Sequence, residues 1–303
     1  MKKKIPLVSI IIPLFNGEKY IEDCIKNLKE QTVQNWEAIF INDGSTDNSL
    51  SLLGTYSKND SRIKIISQQN QGVAVARCNG LDKINGEYFT FLDIDDSLDT
   101  DALKQLVETA IHTNSEIIHS GFNFIKEGKI INKQKNKFEQ LSQLEYYKKI
   151  LNGKLGWQLC GRLFKANLLE NTIICPTNLK CGEDCAVLVQ LIKGANKITS
   201  IKNNLYNYHY HSTSASNIRS YNRGLQMLHA RDFVIKYLYN ANLSNHLKKD
   251  ISIFELLCLS SAIRKGLSKR DLEVKNSIRR IKIKSLFSLH PKKIVNILFF
   301  IFN

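Results

Sequence analysis

Gly86-Glu87-Tyr88-Phe89-Thr90-Phe91-Leu92-Asp93-Ile94-Asp95-Asp96 joins an apolar, β-rich run to three aspartates within four residues. A continuous apolar run of this kind reads as a strand buried on both faces, as in a parallel sheet covered by helices. Three like charges at its end repel, and each raises its neighbour's pKa. A cation removes that cost. On a strand leading into a loop, alternate residues share a face, which directs Asp93 and Asp95 to one site. Taken alone, the same residues also read as an acidic turn and helix cap ahead of Asp101.

Upstream, the pattern repeats. Short β-rich runs are expected at Val8–Ile12, Trp36–Ile41 and Ile63–Ser67, with a fourth at Tyr88–Leu92. Helical stretches separate them. Ile21, Cys24, Ile25 and Leu28 fall on one helical face. A second helix follows Ser45-Thr46-Asp47, a third covers about 73–84 and a fourth about 101–111. Alternating strands and helices predict an α/β fold with a mostly parallel central sheet and helices on both faces. Ligands of such sheets bind at the carboxyl ends of the strands. Those ends read Pro13-Leu14-Phe15-Asn16, Asn42-Asp43-Gly44-Ser45, Gln68-Gln69-Asn70-Gln71-Gly72 and Asp93-Ile94-Asp95-Asp96.

Hard carboxylate oxygens at Asp93 and Asp95 suit Mg²⁺ or Mn²⁺, often completed by substrate phosphates. Asp43, where a strand gives way to a helix, offers an acceptor to a nucleobase N–H or simply caps that helix. Gly182-Glu183-Asp184 opens a helix predicted over Cys185–Ile192; it reads as a capping pair or as a source of a general base. Tyr206 to Ser216 alternates Tyr and His before Ser-rich sequence, which fits either a surface strand or a phosphate-binding segment. Trp157 fits a sugar-stacking platform or a core position.

The 303 residues, 43% hydrophobic and 23% charged, suffice for a large domain and a smaller appendage. A division at 1–220 and 221–303 is expected, the latter mainly helical, with a polar connector at Lys126–Lys137. The net charge is +15, and Arg264–Lys293 alone holds eleven Lys and Arg against two acids. This block, followed by the apolar 286–302 stretch, points to an anionic membrane surface or to nucleic acid. Seven cysteines, an odd number in a chain of this size, do not suggest a disulfide framework. Lys2–Lys4 and the apolar run after them read as a buried first strand rather than a leader.

The four strand-end blocks together resemble the family-2 glycosyltransferases. The segments are Ser9–Asn16, Ile41–Asp47, Asn70–Gly72 with Ala76-Arg77-Cys78-Asn79, and Gly86–Asp96. The resemblance is strong over residues 5–125 and looser to about 220. It implies a glycosyltransferase-A fold, a nucleotide-sugar donor (a UDP-sugar by default), a glycan or lipid-linked acceptor, and inversion with Mn²⁺ or Mg²⁺. It implies that Pro13, Phe15, Asn16 and Glu18 shape the nucleotide pocket, Phe15 by stacking. Asp43 would hold the base imide, and Gly72 and Arg77 would lie along the donor. Asp93, Ile94 and Asp95 would form the metal–diphosphate motif, with Asp184 as catalytic base. His209 and His211 stand where the family carries arginines, so they and Ser214 become diphosphate candidates, and His211 a metal candidate. Cys78 replaces the usual Asn after Arg77. Bacterial cell-surface glycan assembly, such as polysaccharide or lipopolysaccharide, on the cytoplasmic face of the membrane follows as the expected setting. Nucleic acid is not the expected partner, because unneutralised Asp93, Asp95, Asp96 and Asp184 repel phosphates; a nucleotide- or nucleic-acid-binding module with a basic arm is the alternative.

Overall fold

A computed structural model of the chain describes residues 7–211, 218–268 and 270–280. The first half is built as the sequence predicts. Strands β1 (Val8–Leu14), β2 (Trp36–Asp43), β3 (Ile63–Gln68) and β4 (Tyr88–Phe91) alternate with helices α1 (Glu18–Lys29), α2 (Ser49–Asn59) and α3 (Val73–Leu81). The four strands are parallel in the order β3-β2-β1-β4. Every residue of β1, β2 and β4 is buried, whereas β3, at the end of the order, is only partly covered. Helix α1 buries Ile21, Cys24, Ile25 and Leu28. Each such side chain contributes about 2 kcal/mol of hydrophobic stabilisation, so an aspartate at Ile25 breaks the packing of α1. Helix α3 lies against β1 and β2.

Beyond β4 the sheet becomes mixed. After β5 (Ser97–Leu98) and helix α4 (Ala102–Thr113) come β6 (Ile117–Lys126), β7 (Lys129–Gln134), β8 (Gln140–Ser142), helix α5 (Gln143–Leu151) and β9 (Arg162–Lys165). A 3-10 turn at Ala166–Glu170 leads to helix α6 (Glu183–Lys193) and strand β10 (Lys197–His209). The full order is β3-β2-β1-β4-β9-β6-β10-β5, with β7 on β6 and β8 on β10. Strand β9 is antiparallel to β4 and β6, and β10 is parallel to β6.

Two expectations are corrected. Lys126–Lys137 is not a connector: it holds the turn and the second strand of the β6–β7 hairpin, and that strand is polar because nearly all of it faces solvent. The surface-strand reading of the Tyr206 segment holds only in part: Tyr206–His209 is the end of β10, with Tyr206 wholly buried and Asn207, Tyr208 and His209 half-buried.

The chain forms two compact units. The first comprises Met1–Gln143, Gln158–Thr177 and Leu191–His211, and it contains the whole sheet. The second comprises Leu144–Trp157, Asn178–Gln190 and Ser212–Asn303. It includes helices α7 (Tyr221–Asn240), α8 (Lys248–Lys265) and α9 (Leu272–Arg280). These units do not coincide with the segments 1–220 and 221–303, because α5 and most of α6 join the C-terminal helices. The Tyr147 hydroxyl donates to the Val189 carbonyl at 2.6 Å, and the Trp157 ring meets Phe254 edge-on at 5.7 Å. Trp157 thus packs within the second unit. Among the described residues no helix is long and apolar enough to cross a membrane. Of the expected basic block at Arg264–Lys293, residues 269 and 281–293 lie outside the described residues, as does the apolar 286–302 stretch.

Candidate active site

The strand ends of the first unit bring most of the expected site residues into one linked set of loops. Pro13 is buried in β1 beside Ile41 of β2. Two residues on, just past the end of β1, Phe15 is 51% exposed. A large aromatic left in solvent at the mouth of a parallel sheet contributes nothing to the core and is available to stack on a planar ligand.

Asn16 and Glu18 do something the sequence did not reveal: they fasten this loop to the next. Asn16 adopts a left-handed conformation, φ 49°. Its side-chain oxygen accepts from the Thr46 N–H at 2.7 Å, and its own N–H donates to Ser45 Oγ at 3.0 Å. The Glu18 carboxylate accepts from the Asn48 backbone and side chain at 3.1–3.3 Å, while its N–H donates to Asp47 at 3.1 Å. The loops after β1 and β2 are therefore tied to each other by hydrogen bonds from both sides.

Asp43 is buried at the end of β2. Its carboxylate accepts from Gln68 Nε2 and from the backbone N–H groups of Gln71 and Gly72, each at 2.8 Å. It shapes the loop that begins α3, and Gly72 is the residue at that helix start.

Arg77 of α3 is buried, and its guanidinium meets the Asp93 carboxylate at 2.7 Å. This geometry directs it to the acidic loop rather than openly along a donor. The acids themselves lie in a turn after β4, not on the strand: the Asp96 N–H donates to the Asp93 carbonyl at 3.0 Å. The turn, rather than strand alternation, places Asp93 and Asp95.

The charges in the turn are unequal. Asp93 has its arginine. Among the described residues no Lys or Arg forms an ion pair with Asp95. Burial first, and then the Asp93 charge, push the Asp95 carboxyl above its usual range. Burial and Asp93 raise Asp96 further. The strain reaches α1, where burial, then Asp95 and Asp96, push the Cys24 thiol up to about 12.

His209 ends β10, with Nε2 at 2.9 Å from Ser97 Oγ; burial, then His211, lower its pKa. The His211 ring lies 5.5 Å from that of Tyr20 in α1. Both imidazoles are close enough to Asp95 to favour its charged form. Ser214 lies outside the described residues. Asp184 is the second residue of α6, in the second unit. The start of that helix is set by Gly182, φ 80°, where a Cβ would lie 2.6 Å from the Ala230 methyl of α7.

Residues 9–173, more than half of the chain, match the family described as glycosyl transferase family 2. The chain belongs to glycosyltransferase family 2. It is 31% identical over 214 residues to the putative glycosyltransferase EpsH of Bacillus subtilis; the match covers 69% of this chain and 62% of EpsH. Among solved structures it resembles S. aureus TarS, with a TM-score of 0.72 at 20% identity over 97% of this chain and 52% of TarS. It also resembles the mannosyltransferase PcManGT of Pyrobaculum calidifontis, solved with GDP-Man and Mn²⁺. That TM-score is 0.57 at 15% identity, covering 97% and 86% of the two chains. The expected α/β, glycosyltransferase-A type of fold with a helical C-terminal region is therefore borne out.

In this family-2 chain the donor set fits a hard divalent cation. The turn offers two carboxylates, one of them raised by burial and by its neighbour's charge, which a cation relieves. Among the described residues no group of three or more His, Cys, Asp and Glu side chains forms a metal cage, so His211 does not close such a set with Asp93 and Asp95. Two carboxylates completed by substrate oxygens and water match the way Mg²⁺ and Mn²⁺ are held at phosphates.

Proposed function

We propose that this chain transfers a sugar from a nucleoside-diphosphate sugar, a UDP-sugar in the first instance, to a hydroxyl of a glycan or lipid-linked acceptor. The observation that carries this reading is the acidic turn. Arg77 secures Asp93, and Asp95 is left raised and, among the described residues, without a Lys or Arg ion-pair partner, beside loops tied to each other by hydrogen bonds. S. aureus TarS residues 1–349, a TM-score of 0.63 away in fold, have been solved with UDP-GlcNAc. That supports a nucleotide-sugar donor here.

In this reading Phe15 stacks on the base, and Asp43 holds the imide N–H with the acceptor capacity its three internal bonds leave. Pro13, Asn16, Glu18 and Gly72 fix the pocket walls. Asp93 and Asp95, with Ile94 between them, would hold Mn²⁺ or Mg²⁺, which would supply charge neutralisation to the leaving diphosphate. His209, His211 and Ser214 donate to phosphate oxygens. Asp184 takes the proton from the acceptor hydroxyl as that oxygen bonds to C1 of the sugar. The C1–O bond to the diphosphate breaks with inversion. The basic block at Arg264–Lys293, with the apolar 286–302 stretch, holds the enzyme at the anionic inner leaflet, near acceptors for cell-surface glycans.

A donor screen tests the assignment by measuring UDP or GDP release from a panel of nucleotide sugars. Release with at least one donor, stimulated by acceptor and Mn²⁺, is expected; no release from any donor refutes the transferase reading. Asp184→Asn is expected to lose transfer at least a hundredfold while binding UDP within twofold of wild type. Full activity in that variant assigns the base elsewhere. Liposome sedimentation with and without residues 285–303 tests the membrane role, and equal binding of both forms refutes it.

A further inference from the structure

The third acid of the turn is engaged away from the other two. Asp96 is 5% exposed, and both of its oxygens are occupied. Oδ2 accepts from the Tyr206 hydroxyl at 2.6 Å, and Oδ1 accepts from the His209 N–H at 2.9 Å. Because the Tyr206 proton goes to Asp96, the hydroxyl oxygen has a lone pair to spare, and it accepts from the Asp93 N–H at 3.3 Å. Asp93 is thus gripped at three points. Tyr206 holds its N–H, the Asp96 N–H holds its carbonyl, and Arg77 holds its carboxylate.

The hydroxyl that does this belongs to a residue held on all sides by the sheet. Tyr206 is wholly buried in β10, pairing with Phe122 of β6 on one side and Leu98 of β5 on the other. Its ring packs 5.2 Å from that of Phe122. A residue far along the sequence, fixed by the sheet, delivers one polar atom to the backbone of the acidic turn. Released from these partners, a buried carboxylate at Asp96 would be costly, so its bonds to Tyr206 and His209 make it a poor candidate for a metal ligand.

We infer that Tyr206 is a positioning residue for the Asp93–Asp95 turn and that Asp96 is its anchor rather than a third ligand. Resting on the metal reading proposed above, this assigns to β10 the task of presenting the two carboxylates to a divalent cation already in the geometry they need.

Tyr206→Phe removes the hydroxyl and keeps the ring. Two readouts follow in the full chain: free Mn²⁺ by electron paramagnetic resonance during titration with UDP present, and amide exchange at Asp93. The inference expects Mn²⁺ affinity to fall five- to tenfold, Asp93 exchange to quicken at least tenfold, and metal-free UDP binding to stay within twofold. Wild-type Mn²⁺ binding with Tyr206→Phe within twofold of it overturns the inference alone. Wild type that takes up no Mn²⁺ overturns the metal reading and the inference with it. Should Tyr206→Phe not fold, Asp96→Asn decides: an anchor retains far more Mn²⁺ binding than Asp95→Asn does, whereas equal loss in a folded protein makes Asp96 a ligand and overturns the inference.

Discussion

The guanidinium of Arg77 meets the carboxylate of Asp93 at 2.7 Å, the arginine side chain 5% exposed and the aspartate 34%. One helix therefore commits a buried positive charge to one of three clustered acids. This splits the roles within the turn. Asp93 is a structural partner as well as a candidate ligand, and among the described residues Asp95 has no Lys or Arg ion-pair partner, only the nearby His209 and His211.

The split predicts opposite stability effects for neighbouring substitutions. Asp93→Ala deprives buried Arg77 of its carboxylate and costs about 2–3 kcal/mol, below the value for a fully buried pair because Asp93 is a third exposed. Asp95→Asn removes a carboxylate whose ionised form burial and Asp93 disfavour, so it leaves stability unchanged or raises it. Urea unfolding without metal measures both; equal losses contradict the division.

The clamp between the first two loops has its own signature. Asn16→Ala loses the bond to Thr46 and places a β-carbon at φ 49°, costing about 1–2 kcal/mol. Asn16→Gly restores only the backbone part. Unfolding free energies in the order wild type, Gly, Ala are expected, and an alanine variant as stable as wild type contradicts the clamp.

Phe15 behaves in the opposite way, as a side chain spent on ligand rather than fold. Phe15→Ala leaves the melting temperature of the free protein within a degree or two, roughly, because the ring is half in solvent. Loss of base stacking weakens UDP binding by about 1–2 kcal/mol, or roughly five- to thirtyfold. Unchanged UDP affinity by calorimetry removes Phe15 from the pocket.

His119, buried in β6, gives the fold an acid sensitivity. Burial above all, and then the Arg162 charge, hold its pKa well below the usual value. The unfolded chain takes up a proton near pH 6.5 and the folded chain does not, so the stability is present above that pH and is lost as pH falls. Unfolding free energy is expected to drop by up to about 1.4 kcal/mol per pH unit through this group below pH 6. His119→Gln flattens that slope, and identical slopes for variant and wild type between pH 7 and 5 contradict the assignment.

Which features could be read in advance follows from how each is encoded. The first four strands and the buried face of α1 were legible because burial on a regular element imposes a period, and Ile21, Cys24, Ile25 and Leu28 obey it. β7 was not, since a solvent-facing strand has no apolar alternation to show. Its one signal was Gly128 after Glu127, both at positive φ in a two-residue hairpin turn. The strand-end acids were visible as a cluster, but their partners were not. Arg77 is 16 positions from Asp93, and Tyr206 is 110 from Asp96. No local spacing records a contact that the sheet order creates. Asp43 illustrates the same limit, its carboxylate turned to the Gln71 and Gly72 amides of a loop that comes after the next strand.

The most direct test of the central claim is calorimetric titration of the full chain with UDP, with and without Mn²⁺, for wild type and Asp95→Ala. The account predicts saturable binding to wild type that strengthens at least tenfold with Mn²⁺, and a variant in which that gain disappears. Metal-indifferent binding, or an undiminished Mn²⁺ effect in Asp95→Ala, would contradict it.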